Sequence, residues 1–101
     1  MERLNSKKKI AVFISGRGSN FKNLIRHSKT KRGLFKIALV LSNKSNAKGL
    51  KFAKTNKIKS YIYETKLALF EKEALKLIKK NKINIICLAG FMRILSPMFL
   101  N

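Results

Sequence analysis

Lys9-Ile10-Ala11-Val12-Phe13-Ile14-Ser15-Gly16-Arg17-Gly18-Ser19-Asn20-Phe21-Lys22-Asn23-Leu24-Ile25-Arg26 decides the fold of this chain. Five apolar residues, Ile10 to Ile14, form a run of strand length. They lead directly into a turn holding Gly16 and Gly18, whose lack of a Cβ permits tight turning and close backbone approach. From about Asn20 the period changes, and Phe21, Leu24 and Ile25 fall on one helical face. Ser19 or Asn20 is expected to cap that helix, and Gly33 to follow its end. The first N–H groups of a helix have no partner inside it, and its dipole places partial positive charge at the same end. Strand, glycine turn and helix start together predict a site for an anion, most often a phosphate.

The remaining chain repeats this alternation. Strands are expected at Lys36–Leu41, Ser60–Tyr63 and Asn84–Leu88. A helix is expected over about Ala47–Thr55, capped by Ser45 or Asn46, with Leu50 and Ala53 inward. A longer one is expected over Leu67–Lys80, where Phe70, Ala74, Leu77 and Ile78 make an amphipathic stripe. The last strand is almost wholly apolar, as a parallel strand buried on both faces is, and Cys87 within it reads as a small core residue. Short connections between alternating strands and helices predict an α/β, Rossmann-like open parallel sheet with helices on both faces. Residues 1–8 read as a basic tail and residues 9–101 as the amino-terminal part of a domain. Ser96-Pro97 signals a helix start with only Met98, Phe99, Leu100 and Asn101 after it, so about four strands of a larger sheet are expected here.

Composition narrows the chemistry. The 101 residues hold 24 Lys and Arg against 4 Asp and Glu, a net charge of +20, while 46% are hydrophobic. The lysines are spread through every segment instead of clustering with aromatics that stack on bases, so they read as a solvated surface with general attraction for polyanions. No specific nucleic-acid partner is expected. The carboxylates are Glu2, Glu64, Glu71 and Glu73, with a single histidine, His27, and a single cysteine. Such a set builds no carboxylate pair, metal cluster or Ser–His–Asp triad. His27, on the short helix with no acidic neighbour in sequence, reads as a surface residue. A lone cysteine suits a reducing compartment, no apolar run is long enough to span a membrane, and the short charged start is no secretory signal. The cytoplasm is the expected location.

Which phosphate the loop takes is narrowed by elimination. A P-loop requires Gly-Lys-Ser/Thr, and Ser19-Asn20 stands there instead. Dinucleotide binding calls for a third small residue and an acidic group after the second strand. Asn20 or Phe21 and Ser42-Asn43-Lys44 occupy those places. A small phosphorylated ligand at the helix start remains.

Three stretches carry a resemblance. Ile14-Ser15-Gly16-Arg17-Gly18-Ser19-Asn20, then Ser42-Asn43-Lys44 with Ala47 and Gly49-Leu50, then Leu88-Ala89-Gly90-Phe91-Met92-Arg93-Ile94-Leu95-Ser96 resemble, in order and spacing, the folate-dependent phosphoribosylglycinamide formyltransferases. That resemblance implies formyl transfer from 10-formyltetrahydrofolate to glycinamide ribonucleotide in purine synthesis. It implies that Gly18, Ser19 and Asn20 hold the substrate phosphate and that Met92, Arg93, Ile94 and Leu95 line the folate pocket. The apolar residues Phe91, Met92, Ile94 and Leu95 offer surface for a flat ring. The family's catalytic asparagine, histidine and aspartate, the first two in an Asn-x-His motif, have no match in this sequence. The resemblance places them beyond Asn101, which implies that residues 1–101 alone are inactive. The loop before Leu67 is shorter than the family's, and Lys66 is only a loose counterpart of its folate-proximal arginine. Two rivals stand beside this reading. A formyltetrahydrofolate deformylase would carry Arg-Tyr-Met-Gln where Gly90-Phe91-Met92-Arg93 stands; a basic nucleic-acid-binding module would rest on charge alone.

Overall fold

A computed structural model describes residues 8–16, 18–29 and 35–92. In chain order the elements are β1 (Lys8–Ile14), α1 (Ser19–Ser28), β2 (Phe35–Ser42), α2 (Gly49–Thr55), β3 (Lys59–Ile62), α3 (Leu67–Lys80) and β4 (Ile85–Leu88). The strands form one parallel sheet in the order β3-β2-β1-β4. This is the open α/β sheet expected from the alternating pattern.

Each face of the sheet buries its own cluster. Ile10, Val12 and Ile14 of β1 pack with Phe21 and Ile25 of α1 and Ala53 of α2. Ala11 and Phe13 point to the opposite face and meet Phe70 and Ala74 of α3, together with Leu39 and Leu41 of β2. Side chains alternate along a strand, so Ile37 and Val40 ought to lie on opposite faces. Both join the α1–α2 cluster. A register shift accounts for this: Ile10 pairs with Ile37 but Ala11 pairs with Leu39, which leaves Ala38 as an extra residue on β2. One inserted residue reverses the parity of everything after it. The shift therefore gives β2 a leucine pair for the α3 side without exposing Ile37.

The helices bury the residues their periodicity indicates. Phe21 and Ile25 are buried and Leu24 packs at the edge of their cluster; Phe70 and Ala74 are buried, with Leu77 and Ile78 packed beside them. His27 is exposed in the last turn of α1, where positive charge suits the dipole. Two expectations change. The first concerns β4, which is not buried on both faces: Ile85 is 44% and Leu88 54% exposed. Among the described strands β4 pairs only with β1, so it is an edge, and a single neighbour covers it incompletely.

The second concerns the helix starts. No side chain caps α1 or α2; their N-cap positions are Gly18 and Lys48 instead of Ser19/Asn20 and Ser45/Asn46. At α1 the backbone itself makes the turn, with Gly18 left-handed at φ 85°. Several expectations fall on residues outside those described. These are Gly33 after α1, the folate-side residues Arg93, Ile94 and Leu95, the helix start at Ser96-Pro97, and Asn101, beyond which the catalytic groups are expected.

Gly18 is required twice over. Its φ favours glycine, and a Cβ there would stand 2.7 Å from Gly49 Cα and 2.9 Å from Gly49 N. The turn after β1 thus presses backbone to backbone on the start of α2. Gly16, two residues earlier, has open space around a would-be Cβ and no positive φ. Gly18→Ala is expected to cost about 2–4 kcal/mol of folding stability, combining the left-handed penalty with overpacking. Gly16→Ala is expected to stay within about 0.5 kcal/mol of the parent, as surface changes do. Urea unfolding of the two variants checks the difference; equal midpoints would contradict the packing described.

Candidate functional site

Parallel strands bring all their carboxyl ends to one edge of the sheet, and open sheets bind ligands outside that edge. Three adjoining hollows lie there, and Met92 lines each of them. One of about 330 Å³ has Gly16, Gly18, Ser19 and Asn20 on one wall and Ala89, Gly90 and Met92 on the other. The second, about 270 Å³, extends past Ser15 and Gly16 to Lys44, Asn46 and Lys48. The third, about 490 Å³, continues over Asn43 and Lys44 to Glu64 and Thr65. The two glycine turns singled out in the sequence therefore face one another across a single cleft.

On the first wall, Lys22 N–H donates to Gly18 C=O at 2.8 Å as the first bond of α1. The N–H groups of Ser19, Asn20 and Phe21 precede it and have no carbonyl partner within the helix. No acidic residue lies in that first turn, and Ser19 and Asn20 border the cleft. Gly18 is both N-cap and the residue held against Gly49, so α2 fixes where this helix start points.

The second wall is set by aromatic packing. Phe91 turns inward, its ring centroid 5.4 Å from Phe13 and 5.2 Å from Phe70. This ring, expected to offer a ligand surface, packs half-buried against the core of the α3 side, edge-on to Phe13 and tilted against Phe70. Anchoring Phe91 throws its neighbour outward, and Met92 is 73% exposed over the cleft. Gly90, at φ 75°, makes the turn that leads into them.

Wiring beneath the floor of the cleft was not evident from residue types alone. Ser15, 3% exposed, follows β1; its hydroxyl donates to Asn43 Oδ1 at 2.5 Å and accepts the Met92 N–H at 2.9 Å. Asn43, 5% exposed, follows β2. Gly16 C=O accepts the Lys48 N–H at 3.0 Å, tying the same turn to the start of α2. Ser42 closes the β2 end by accepting the Lys44 N–H at 3.0 Å and donating to Lys44 C=O at 2.7 Å. Ser42 and Asn43 thus serve the framework, while Lys44 is the exposed member of the trio. The signal for this wiring was small polar residues placed directly after two apolar strands.

The charge around the cleft is lopsided. No carboxylate occurs between Arg3 and Tyr63. Lys44 and Lys48 line the cleft, and among the described residues Glu64 is the single acidic group at its rim, accepting a hydrogen bond from Ser45 Oγ at 3.2 Å. Lys66 is the N-cap of α3 and lines none of the three hollows. Among the described residues no group of His, Cys, Asp and Glu is placed to hold a metal, and no helix is long and apolar enough to cross a membrane. A separate hollow of about 210 Å³ near Ile25, Phe35 and Ile58 lies at the opposite edge, by the amino end of β2. Its Lys29 ammonium is engaged with Asn56 Oδ1.

Comparison with known proteins agrees with this arrangement. The model of the family described as formyl transferase matches residues 8–101. The trifunctional purine biosynthetic protein adenosine-3 of Chironomus tentans is 46% identical over 110 residues, which take in all of this chain and 8% of that protein. Phosphoribosylglycinamide formyltransferase of Bacillus subtilis is 33% identical over 97 residues, or 92% of this chain and 50% of that one. The crystal structure of phosphoribosylglycinamide formyltransferase from Brucella melitensis superposes with a TM-score of 0.88 at 33% identity, over 94% of this chain and 52% of that one. The chain spans about half the length of these single-function relatives. With the family model matching nearly the whole of this chain and the sheet shared with solved members, the chain belongs to the formyl transferase family.

Proposed function

We propose that this chain carries the ligand-holding part of a phosphoribosylglycinamide formyltransferase, an enzyme moving a formyl group from 10-formyltetrahydrofolate to the amine of glycinamide ribonucleotide. The observation that supports it is the cleft of about 330 Å³ in which the Gly18–Asn20 turn and the Gly90–Met92 turn face each other. The ribonucleotide phosphate binds at the start of α1, where unpaired N–H groups and the helix dipole favour an anion. Lys44 and Lys48 add positive potential along the same edge. The folate ring rests against Met92, whose unbranched thioether adapts to a flat surface. Arg93, Ile94 and Leu95 extend that wall in this reading.

In the transfer, the amine nitrogen attacks the formyl carbon. The new C–N bond forms as the bond from carbon to N10 of the folate breaks, and the amine proton passes to N10. The step calls for donors to the developing oxyanion and a group that moves the proton. The residues lining the cleft between the two turns are Gly16, Gly18, Ser19, Asn20, Ala89, Gly90 and Met92, none of which titrates near neutrality. The sequence contains no Asn-x-His, and His27 lies at the far end of α1. Residues 1–101 therefore bind and orient, and in this reading the catalytic groups belong to a segment beyond Asn101. A cytoplasmic location fits the half-buried free thiol of Cys87.

Three measurements test this. In amide-resolved NMR, adding glycinamide ribonucleotide is expected to shift Gly18, Ser19 and Asn20 first; shifts confined to lysine-rich exposed surfaces would refute the phosphate site. Purified residues 1–101 are expected to show no formyl transfer with both substrates present, and measurable turnover would contradict the division of labour. Any nucleic-acid binding is expected to fall steeply with salt, by a factor of about 10³ or more between 50 and 200 mM. A complex that survives high salt and ignores glycinamide ribonucleotide would favour the nucleic-acid rival.

A further inference from the structure

The hydroxyl of Ser15 occupies an unusual place. It is nearly inaccessible and sits at the end of the central strand, between β2 on one side and β4 on the other. A serine hydroxyl offers one donor and two acceptor lone pairs. Here the donor is spent on Asn43 Oδ1 at 2.5 Å, and an acceptor position takes the Met92 N–H at 2.9 Å. The next residue, Gly16, accepts the Lys48 N–H through its carbonyl, and the turn then reaches Gly18 and the start of α1. One side chain thus connects the wall bearing Met92 to the wall bearing Gly18, with Asn43 holding its orientation from the third side.

We propose that Ser15 is a positioning residue that sets the distance between the two walls of the cleft, so that a ligand on either wall tightens binding on the other. This rests on the functional reading above, since it takes the two walls to hold two different ligands. Met92 is an exposed residue two positions after Gly90, whose own surroundings are open. The backbone bond to Ser15 holds Met92 at the cleft, and the Phe91 ring holds it from the opposite side. Ordering Met92 with a folate therefore draws on the hydroxyl of the residue that leads directly into the Gly16–Gly18 turn. Two sites sharing one ordered element are coupled reciprocally.

Ser15→Cys and Ser15→Ala separate hydrogen bonding from packing. Cysteine nearly preserves the volume but hydrogen-bonds weakly. With residues 1–101, the probes are glycinamide ribonucleotide and 5-formyltetrahydrofolate, a stable formylated folate, titrated alone and in each other's presence by calorimetry. The parent is expected to show each ligand tightening the other by about fivefold or more. Ser15→Cys is expected to retain glycinamide ribonucleotide affinity within about threefold while the mutual tightening falls below about twofold. Its Met92 amide is expected to exchange with solvent at least about tenfold faster, with core amides of β1 unchanged. Ser15→Ala should follow Ser15→Cys in both readouts. Undiminished coupling in Ser15→Cys would overturn the role of the hydroxyl while leaving the two-ligand cleft intact. If the parent binds neither probe, the functional reading and this inference fall together.

Discussion

The central position of β1 is the constraint on which the other features depend. Residues Ile10 to Ile14 are almost completely shielded because β2 and β4 flank them and helices cover both faces. Alternation along this strand serves both clusters at once, Val12 and Ile14 toward α1 and α2, Ala11 and Phe13 toward α3. A strand so fully enclosed has little freedom, and whatever follows it inherits that fixity. Ser15, Gly16 and Gly18 follow it. The cleft is thus built directly on the most deeply buried of the described strands.

From this strand the two walls are positioned by different physics. The wall at the start of α1 depends on close backbone packing: the left-handed Gly18 against Gly49, where even one methyl group would collide. The opposite wall depends on aromatic burial, with Phe91 filling the α3 core beside Phe13 and Phe70 while Met92 is left outside. The first interaction tolerates almost no change of shape; the second tolerates some, because rings repack more readily than backbone. Between the two lies the Ser15 hydroxyl. Surface charge plays a separate part. Lys44 and Lys48, which outnumber Glu64 there, raise the positive potential over the cleft edge, which favours anionic ligands in general without selecting among them.

Much of this was legible in the sequence, and the exceptions have physical reasons. Period and composition located all seven elements, because long apolar runs and the Phe70–Ala74–Ile78 stripe are strong local signals; the stated limits are off by no more than two residues, except that α1, expected to run up to Gly33, ends at Ser28. The facing glycine turns could be anticipated from strand polarity alone. The caps could not: a glycine in the left-handed region ended the turn before Ser19 or Asn20 was needed as a cap. Nor could the extra residue at Ala38, since a parity change on β2 is visible only in its pairing with β1. The exposure of β4 depends on which strands flank it, and composition carries no such information. Ser15 and Asn43 stand in the motifs that carry the family resemblance, yet their mutual bond joins residues 28 apart in sequence. Gly49 shows the same limit: only the fold reveals that a Cβ there would stand 2.8 Å from Ile14 Cδ1.

The most direct measurement of the account's central claim is a crystal structure of this chain with glycinamide ribonucleotide and 5-formyltetrahydrofolate bound together. The account predicts phosphate oxygens within hydrogen-bond distance, about 2.7–3.2 Å, of the backbone N–H groups at the start of α1. It also predicts the folate ring against Met92 on the facing wall, with the Ser15–Met92 bond intact. A phosphate held only by lysine side chains away from Gly18, or a folate seated elsewhere than the Gly90–Met92 turn, would contradict it.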